Sequence, residues 1–294
     1  MKFNHIYVVV LLMWGLLSSC ISEDYSDCYN RYVVNLSYVG DGTTEIFAEK
    51  IDRVQMFIFD EVNTVVSKTM LTDEEVRLQR VMLPPLEEGN YRIVFLGNTY
   101  STSVKDLSIR SSLSGLCFGA DAYWSGEKVS GNDPLYFAAL DQTIAPFDSE
   151  RQITYSTAHF AASHYDISVD IIGVPSAPKV VLTGVSPYTD FNNVATAAAE
   201  YEYELEAVYD GESTAKASCN ILRHLDHENV YLKILSQNGD ELASVCFADF
   251  LKANSSHIDC SNHEVLIPFK VEFKSANVEV ALPDWFVIEV SPEF

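Results

Sequence analysis

The chain has 294 residues, with 19 Lys and Arg against 42 Asp and Glu, which gives a formal net charge of −23 at pH 7. So acidic a chain has few cations to neutralise nucleic-acid phosphates, so we expect no nucleic-acid partner. Anionic lipid headgroups would also repel it. Hydrophobic residues make up 48% of the sequence, which is enough for packed cores and argues against disorder.

The first twenty residues have the layout of a lipoprotein export signal. Lys2 supplies a positive charge, residues 6–17 are almost wholly apolar, and Leu17-Ser18-Ser19 leads into Cys20. The apolar stretch is shorter than the roughly 20 residues of a membrane-spanning helix, as is usual for a signal peptide. We predict cleavage after residue 19 and lipid on the Cys20 thiol, which would anchor the mature chain in a membrane. An ordinary secretory signal is the alternative, although it prefers a small residue where Leu17 stands.

Residues 20–30 are predicted to form an acidic tether between the lipid and the first strand. Glu23, Asp24 and Asp27 lie within it. An acidic stretch directly behind a lipidated cysteine resembles the signal that sends lipoproteins to the cell surface in some Gram-negative groups. We therefore expect a lipid-anchored protein of the outer membrane that faces outwards. A solvated linker is the alternative interpretation.

Alternation of apolar and polar residues predicts β-strands in the first half of the chain. These strands are expected at residues 33–39, 53–59, 64–69, 78–83 and 91–96. In the second of them, Val54, Met56 and Ile58 share one face. Residues 98–150 lack the alternation and are expected to be mainly loop, with a short helix at 104–113.

Strand signals resume at residue 152 and continue to the C-terminus. The clearest strand spans residues 200–209, where one face is lined by Tyr201, Tyr203, Leu205, Ala207 and Tyr209 and the other by glutamates. One buried and one solvated face are typical of an antiparallel sheet. Further strands are expected at residues 153–174, 230–235, 242–247, 265–273 and 278–290, with a short helix at 247–253 and a kink at Pro283. Asn238-Gly239 predicts a hairpin between two of these strands.

Short strands without helical periodicity or a repeat indicate an all-β protein of the sandwich or barrel type. We place a domain boundary near residue 150, where the irregular stretch ends. Residues 31–150 and 151–294 would then each form a β-sandwich of about seven strands.

The cysteines bear on the redox chemistry of the exported chain. Besides Cys20, five remain, so at least one has no partner within the chain. Export to an oxidising compartment permits disulfides. We expect a bond between two of Cys219, Cys246 and Cys260, which cluster in the last third, although the sequence does not fix the connectivity.

No motif in the sequence indicates catalysis. The chain has no nucleophile elbow, P-loop or dinucleotide-binding glycine motif, so we predict neither enzyme activity nor a cofactor. His224 and His227 could bind a metal together with nearby carboxylates, but a surface turn is the favoured interpretation. Aromatic residues in the irregular stretch leave open that the chain is a surface lipoprotein that binds carbohydrate or another ligand; these residues are Tyr123, Trp124, Tyr136 and Phe137.

Several stretches carry a family resemblance when they are taken together. The lipid site is followed by acidic residues and Cys28; residues 51–60 resemble a recurrent I-x-x-V-x-x-F-V-F-D core, residues 91–97 a Y-x-[IV]-V-x-x-G strand, and Asp284-Trp285 a closing strand. In this combination the chain resembles the FimB-like anchor and accessory subunits of type V pili.

The resemblance implies two tandem Greek-key, transthyretin-like β-sandwich domains, a palmitate-bearing lipid anchor in the outer membrane, and pilin (fimbrillin) subunits as partners. Such subunits join by β-strand exchange, in which an edge or groove of one subunit takes up a strand of the next. Polymerising pilins of the family are trimmed at an arginine after an early strand, whereas anchors keep that strand; Arg31 and Arg53 are present here. A base anchor and an accessory or tip subunit both remain open.

Overall fold

The structure is a computed structural model that describes residues 31–146, 153–195, 201–224 and 227–286. The predicted signal peptide, the acidic tether and Cys28 lie outside these residues. Within them the chain forms twenty strands, arranged in five sheets, and four short α-helices. This content confirms the all-β class. The assignment to the Greek-key, transthyretin-like type stays a prediction.

The strands are β1 (Arg31–Ser37), β2 (Val54–Phe59), β3 (Val65–Met70), β4 (Arg80–Met82), β5 (Gly89–Gly97), β6 (Thr102–Val104), β7 (Cys117–Ala120), β8 (Tyr136–Ile144), β9 (Ile153–His159), β10 (Ala161–Ala162), β11 (His164–Ile172), β12 (Lys179–Thr183), β13 (Tyr188–Asp190), β14 (Glu202–Leu205), β15 (Ala207–Tyr209), β16 (Thr214–Leu222), β17 (Tyr231–Leu235), β18 (Glu241–Cys246), β19 (Leu266–Phe273) and β20 (Val278–Ala281). The helices are α1 (Phe47–Lys50), α2 (Asp73–Arg77), α3 (Asp121–Ser125) and α4 (Phe247–Ala253).

The N-terminal half packs a three-stranded sheet, in the order β4-β1-β9, against a five-stranded sheet, in the order β10-β8-β5-β2-β3. The predicted face of β2 is confirmed, because Val54, Met56 and Ile58 lie in the core between these sheets. Val34 and Leu36 of β1 face them from the opposite sheet. The two sheets are therefore the layers of one sandwich.

Strands β9 and β10 pair with strands of the N-terminal half, although they follow the expected boundary near residue 150. The seven residues of β9 run parallel to β1, and β10 pairs with β8. Strand pairing within the C-terminal half starts at β11, so the change of partners comes after Ala162. Residues 153–174, expected as one long strand region, thus divide between the two halves.

The C-terminal half packs a sheet of order β15-β16-β11-β19-β20 against a sheet of order β14-β12-β17-β18. The face predicted to be buried in residues 200–209 does face this core. Tyr203 and Leu205 are buried in it, and Ala207 and Tyr209 pack against it. The prediction of one continuous strand was wrong. β14 pairs with β12 in one sheet and β15 with β16 in the other, so the chain crosses between layers at Glu206, as strands do at the corners of sandwiches.

The middle of the chain is more regular than expected. The helix predicted at 104–113 is absent, and only a short 3-10 turn occurs near its end, at Leu113–Gly115. Elsewhere in residues 98–146 the chain forms β6, β7, α3 and β8. β7 pairs with β13 of the C-terminal half, so one small sheet contains strands of both halves. This sheet covers the outer face of the N-terminal five-stranded sheet, where Phe57 and Phe59 contact Phe191 at ring-centroid distances of 5.1 and 5.6 Å. Both faces of β2 are buried as a result.

The predicted hairpin at Asn238-Gly239 and the helix at 247–253 are confirmed as the β17–β18 connection and as α4. In the described part of the chain, no helix is long and apolar enough to cross a membrane.

Candidate subunit interface

The first strand is a structural member of the N-terminal core. β1 pairs on one side with β4 and on the other with all seven residues of β9. Tyr32, Val34 and Leu36 are at most 6% exposed and belong to the core cluster. Without β1, a groove with two unpaired strand edges would separate β4 from β9. In this structure the chain fills that position with its own strand.

The two arginines named with the family resemblance lie at the start of this strand and beyond its end. Arg31 is the first residue of β1, and Arg53 lies directly before β2 and is exposed. The carbonyl oxygen of Arg53 accepts a hydrogen bond from the Asn98 backbone N–H at 2.7 Å. A cut after Arg53 would separate β1 and α1 from the remaining strands, whereas a cut after Arg31 would leave most of β1 in place.

Glu264 connects the two halves. Its carboxylate, which precedes β19, accepts hydrogen bonds from the Tyr38 hydroxyl, from Lys50 Nζ at 2.8 Å and from the Tyr136 hydroxyl at 3.2 Å. All three donors belong to the N-terminal half. Burial alone would raise the pKa of Glu264, but the hydrogen bonds from Lys50 and Tyr38 outweigh burial and lower it. The group is therefore held as a carboxylate in the seam between the halves.

A second set of contacts lies beside Glu264. Asp41 accepts hydrogen bonds from the backbone N–H groups of His263 at 2.6 Å and Glu264 at 3.1 Å. Partial burial opposes ionisation of Asp41, but these two bonds lower its pKa below the ordinary value. Within the C-terminal half, the guanidinium of Arg223 donates to the carbonyl oxygens of His263 at 2.5 Å and His164 at 3.1 Å, and so holds the segment that Asp41 contacts. The shared sheet and the contacts of Asp41 and Glu264 join the two halves.

The end of the described chain folds back over a sheet. β20 ends at Ala281, before the predicted kink at Pro283, and the following residues cross the outer face of the C-terminal five-stranded sheet. Trp285 Nε1 donates to Asp170 Oδ2 at 3.2 Å, and Lys270 pairs with Asp284 at 3.2 Å. Trp285 is 50% exposed. The rest of the predicted last strand lies outside the described residues.

The predicted site residues are placed as follows. Cys20 is outside the described residues, so its lipidation stays a prediction. Cys219, Cys246 and Cys260 are free thiols, so the structure does not contain the disulfide expected among them. Cys219 lies on β16 and Cys246 at the end of β18 in the opposite sheet, while Cys260 lies in the loop before β19. Burial raises the pKa of the Cys219 thiol to about 12, which leaves it unreactive.

His224 and His227 do come together, with Nδ1 of His227 3.2 Å from Nε2 of His224. No group of three or more potential metal ligands occurs in the part of the chain that the structure describes.

The aromatic residues of the irregular stretch divide between two places. Tyr136 is buried in the N-terminal core. Tyr123 and Trp124 of α3 form a partly exposed aromatic cluster with Tyr188 and Tyr201, which the sequence did not connect with them.

Comparison with known proteins identifies the family. The sequence-family model of the fimbrillin-A associated anchor proteins Mfa1 and Mfa2 matches residues 25–291 of this chain. This match covers most of the chain and places it in the class of fimbrial subunits. The chain belongs to this anchor-protein family.

Individual relatives agree with this assignment. The major fimbrium anchoring subunit FimB of Porphyromonas gingivalis is 23% identical over 261 residues, which cover 81% of this chain and 82% of FimB. Among solved structures, the fimbrial anchor protein Mfa2 of P. gingivalis superposes with a TM-score of 0.67 at 14% identity, covering 86% of this chain and 97% of Mfa2. A candidate adhesin from Bacteroides ovatus gives a TM-score of 0.68 at 12% identity, covering 87% and 94%. These structural likenesses show a shared fold.

Proposed function

We propose that this protein is a lipid-anchored fimbrial subunit that attaches or caps a pilus shaft at the outer membrane by β-strand exchange with pilin. The family assignment gives the fimbrial role, and the observation that carries the finer proposal is the filled position of β1. A subunit whose groove is occupied by its own strand does not take up a strand from a neighbour, so it ends a chain of strand exchanges.

The burial of β1 indicates the size of the barrier to an incoming strand. Displacing β1 would expose Val34 and Leu36, and burial of two such side chains contributes about 3–6 kcal/mol. The ten residue pairs that β1 makes with β4 and β9 would also have to separate. An incoming strand would need to replace all of these contacts, so exchange at this subunit proceeds by donation of a strand to pilin. This direction suits a subunit at the end of a shaft.

The proposal is tested by locking β1 in place. Asn35 and Thr157 are partners in the parallel register of β1 and β9, so cysteines at both positions could form a disulfide across these strands. The tag for a pull-down can be inserted at Gly239, in the exposed turn between β17 and β18.

The doubly substituted protein (N35C/T157C), solubilised gently from outer membranes, should recover pilin subunits equally well when oxidised and when reduced. The single variant N35C is the matched control. Recovery of pilin only after reduction would show that β1 must leave its position between β4 and β9, and would refute the proposal that β1 stays in place in the assembled pilus. Recovery of no pilin from the unsubstituted protein either would favour the alternative function, a carbohydrate-binding surface lipoprotein without a pilus.

A further inference from the structure

A cleft of about 770 Å³ lies in the seam between the halves, outside the strands that the proposed function uses. Residues 128–133 form one wall and close the side of the C-terminal sandwich. The Val129 carbonyl accepts from the Glu204 N–H at 3.1 Å, and the Asn132 N–H donates to the Asn220 carbonyl at 2.8 Å. Parts of β11 and β16 form the other wall. The volume is within the roughly 300–1,000 Å³ of small-ligand sites.

The walls offer many unused hydrogen-bonding groups. Ser168 and Ser218 are register partners on β11 and β16, and Asn220 is the partner of Asp166 in the next outward-facing row. The side chains of Ser168, Ser218 and Asn220 make no hydrogen bond to any described residue. Asn132 accepts a bond from the Tyr203 hydroxyl, but its amide nitrogen is buried without a partner among the described residues. Such groups match a ligand that carries several hydroxyls.

Other ligand classes fit the cleft poorly. β11 is bonded on both sides, to β16 and β19, so it has no free backbone edge for an added peptide strand. Asp133 and Asp166 line the cleft and would repel an acidic ligand. The amine of Lys128, which might attract an anion, is paired with Glu204.

An aromatic cluster follows one wall of the cleft in the chain. Ala120 and Ala122 line the cleft, and the next two residues of α3 are Tyr123 and Trp124. The rings of Trp124 and Tyr188 lie 5.4 Å apart in a tilted arrangement. Partly exposed rings of this kind offer an apolar face together with a polar edge.

From this arrangement we infer that the cleft binds a neutral oligosaccharide. The test uses the detergent-solubilised protein on an array of neutral hexose and N-acetylhexosamine oligosaccharides, with oligogalacturonates as acidic probes. The unsubstituted protein should bind at least one neutral probe and no oligogalacturonate. Titration of that probe in solution then gives the affinity of each variant.

Two variants separate the cleft from the rest of the surface. Ser218→Trp fills the cleft and should weaken binding by about tenfold or more, whereas Ser244→Trp, at an exposed serine of β18, should leave it unchanged. The double variant S168A/N220A removes hydrogen bonds without filling space and should also weaken binding, which guards against a folding defect in the first variant. Absence of binding to every neutral probe, preference for oligogalacturonate, or equal affinity of the S218W and S244W variants would overturn the inference. None of these outcomes depends on recovery of pilin.

Discussion

Replacement of Glu264 by Gln tests whether the seam between the halves stabilises the protein. Gln keeps the shape of the side chain and can still accept from the hydroxyls of Tyr38 and Tyr136, but it loses the charge that pairs with Lys50. A hydrogen bond to a charged group contributes about 1.5–3 kcal/mol when it is well buried. Because the Lys50 side chain is 38% exposed, solvent screening reduces that contribution, and we expect a loss of about 1–2 kcal/mol.

The stability difference should depend on pH in a defined direction. The pKa of Glu264 in the folded state lies below its ordinary value of 4.5, so its contribution is fully present above that value and is lost as the pH falls through the lowered pKa. Thermal unfolding of the mature chain at neutral pH should show a melting temperature lower by roughly 2–6 °C for E264Q. The difference between the two proteins should narrow as the pH is brought below 4.5.

Glu279→Gln is the matched control, because Glu279 also pairs with a lysine, Lys274, but on the surface of the C-terminal sheet. Exposed pairs of this kind contribute little, so E279Q should unfold like the unsubstituted protein at every pH. If E264Q did the same, the seam contacts would not stabilise the protein and the argument for a fixed orientation would lose its energetic basis.

Three further predictions follow from the lipid site, the core and one turn. Cys20→Ala should move the protein from the membrane fraction to the soluble fraction and shed fimbriae into the medium; a variant that still floats with membranes would contradict lipidation. Leu36→Ala should destabilise the protein by about 2–5 kcal/mol in chemical denaturation, and Leu78→Ala, at a side chain 55% exposed, by far less. Gly184 has φ +76°, and a Cβ there would lie 1.9 Å from the Asn229 carbonyl oxygen. Gly184→Ala should therefore lower the unfolding free energy by more than about 1 kcal/mol, and by more than Gly211→Ala, at φ +87° with open space around it.

Local periodicity was sufficient to predict which residues enter the cores. The apolar positions of β2 and of residues 203–209 point to the expected side, because a strand with one buried face must alternate. The sequence also contains a local signal for a helix that the strand predictions do not include: Thr72 and Glu75 form a capping box at the start of α2. For this reason the strand expected at 78–83 is shortened to β4.

Periodicity could not show which strands pair. β9 follows the irregular stretch in sequence, yet it lies beside β1, more than a hundred residues earlier. The split at Glu206 was also hidden, since β14 and β15 present their apolar residues to the same core from opposite sheets. The seam depends on Tyr38 and Glu264, which are 226 residues apart, and no local pattern marks a single tyrosine or glutamate as an interdomain contact.

The seam also has a mechanical consequence if the chain holds a pilus. The predicted lipid site precedes β1 in the N-terminal half, while the chain leaves the described structure beyond Trp285 in the C-terminal half. If the C-terminal half holds the shaft, a pull between membrane and shaft passes through the contacts that join the halves. These contacts include backbone pairing of β7 with β13, burial of Phe191 against Phe57, and the hydrogen bonds of Asp41 and the Glu264 carboxylate. Because backbone pairing and aromatic burial share the load with a single carboxylate, loss of Glu264 should weaken the seam without separating the halves.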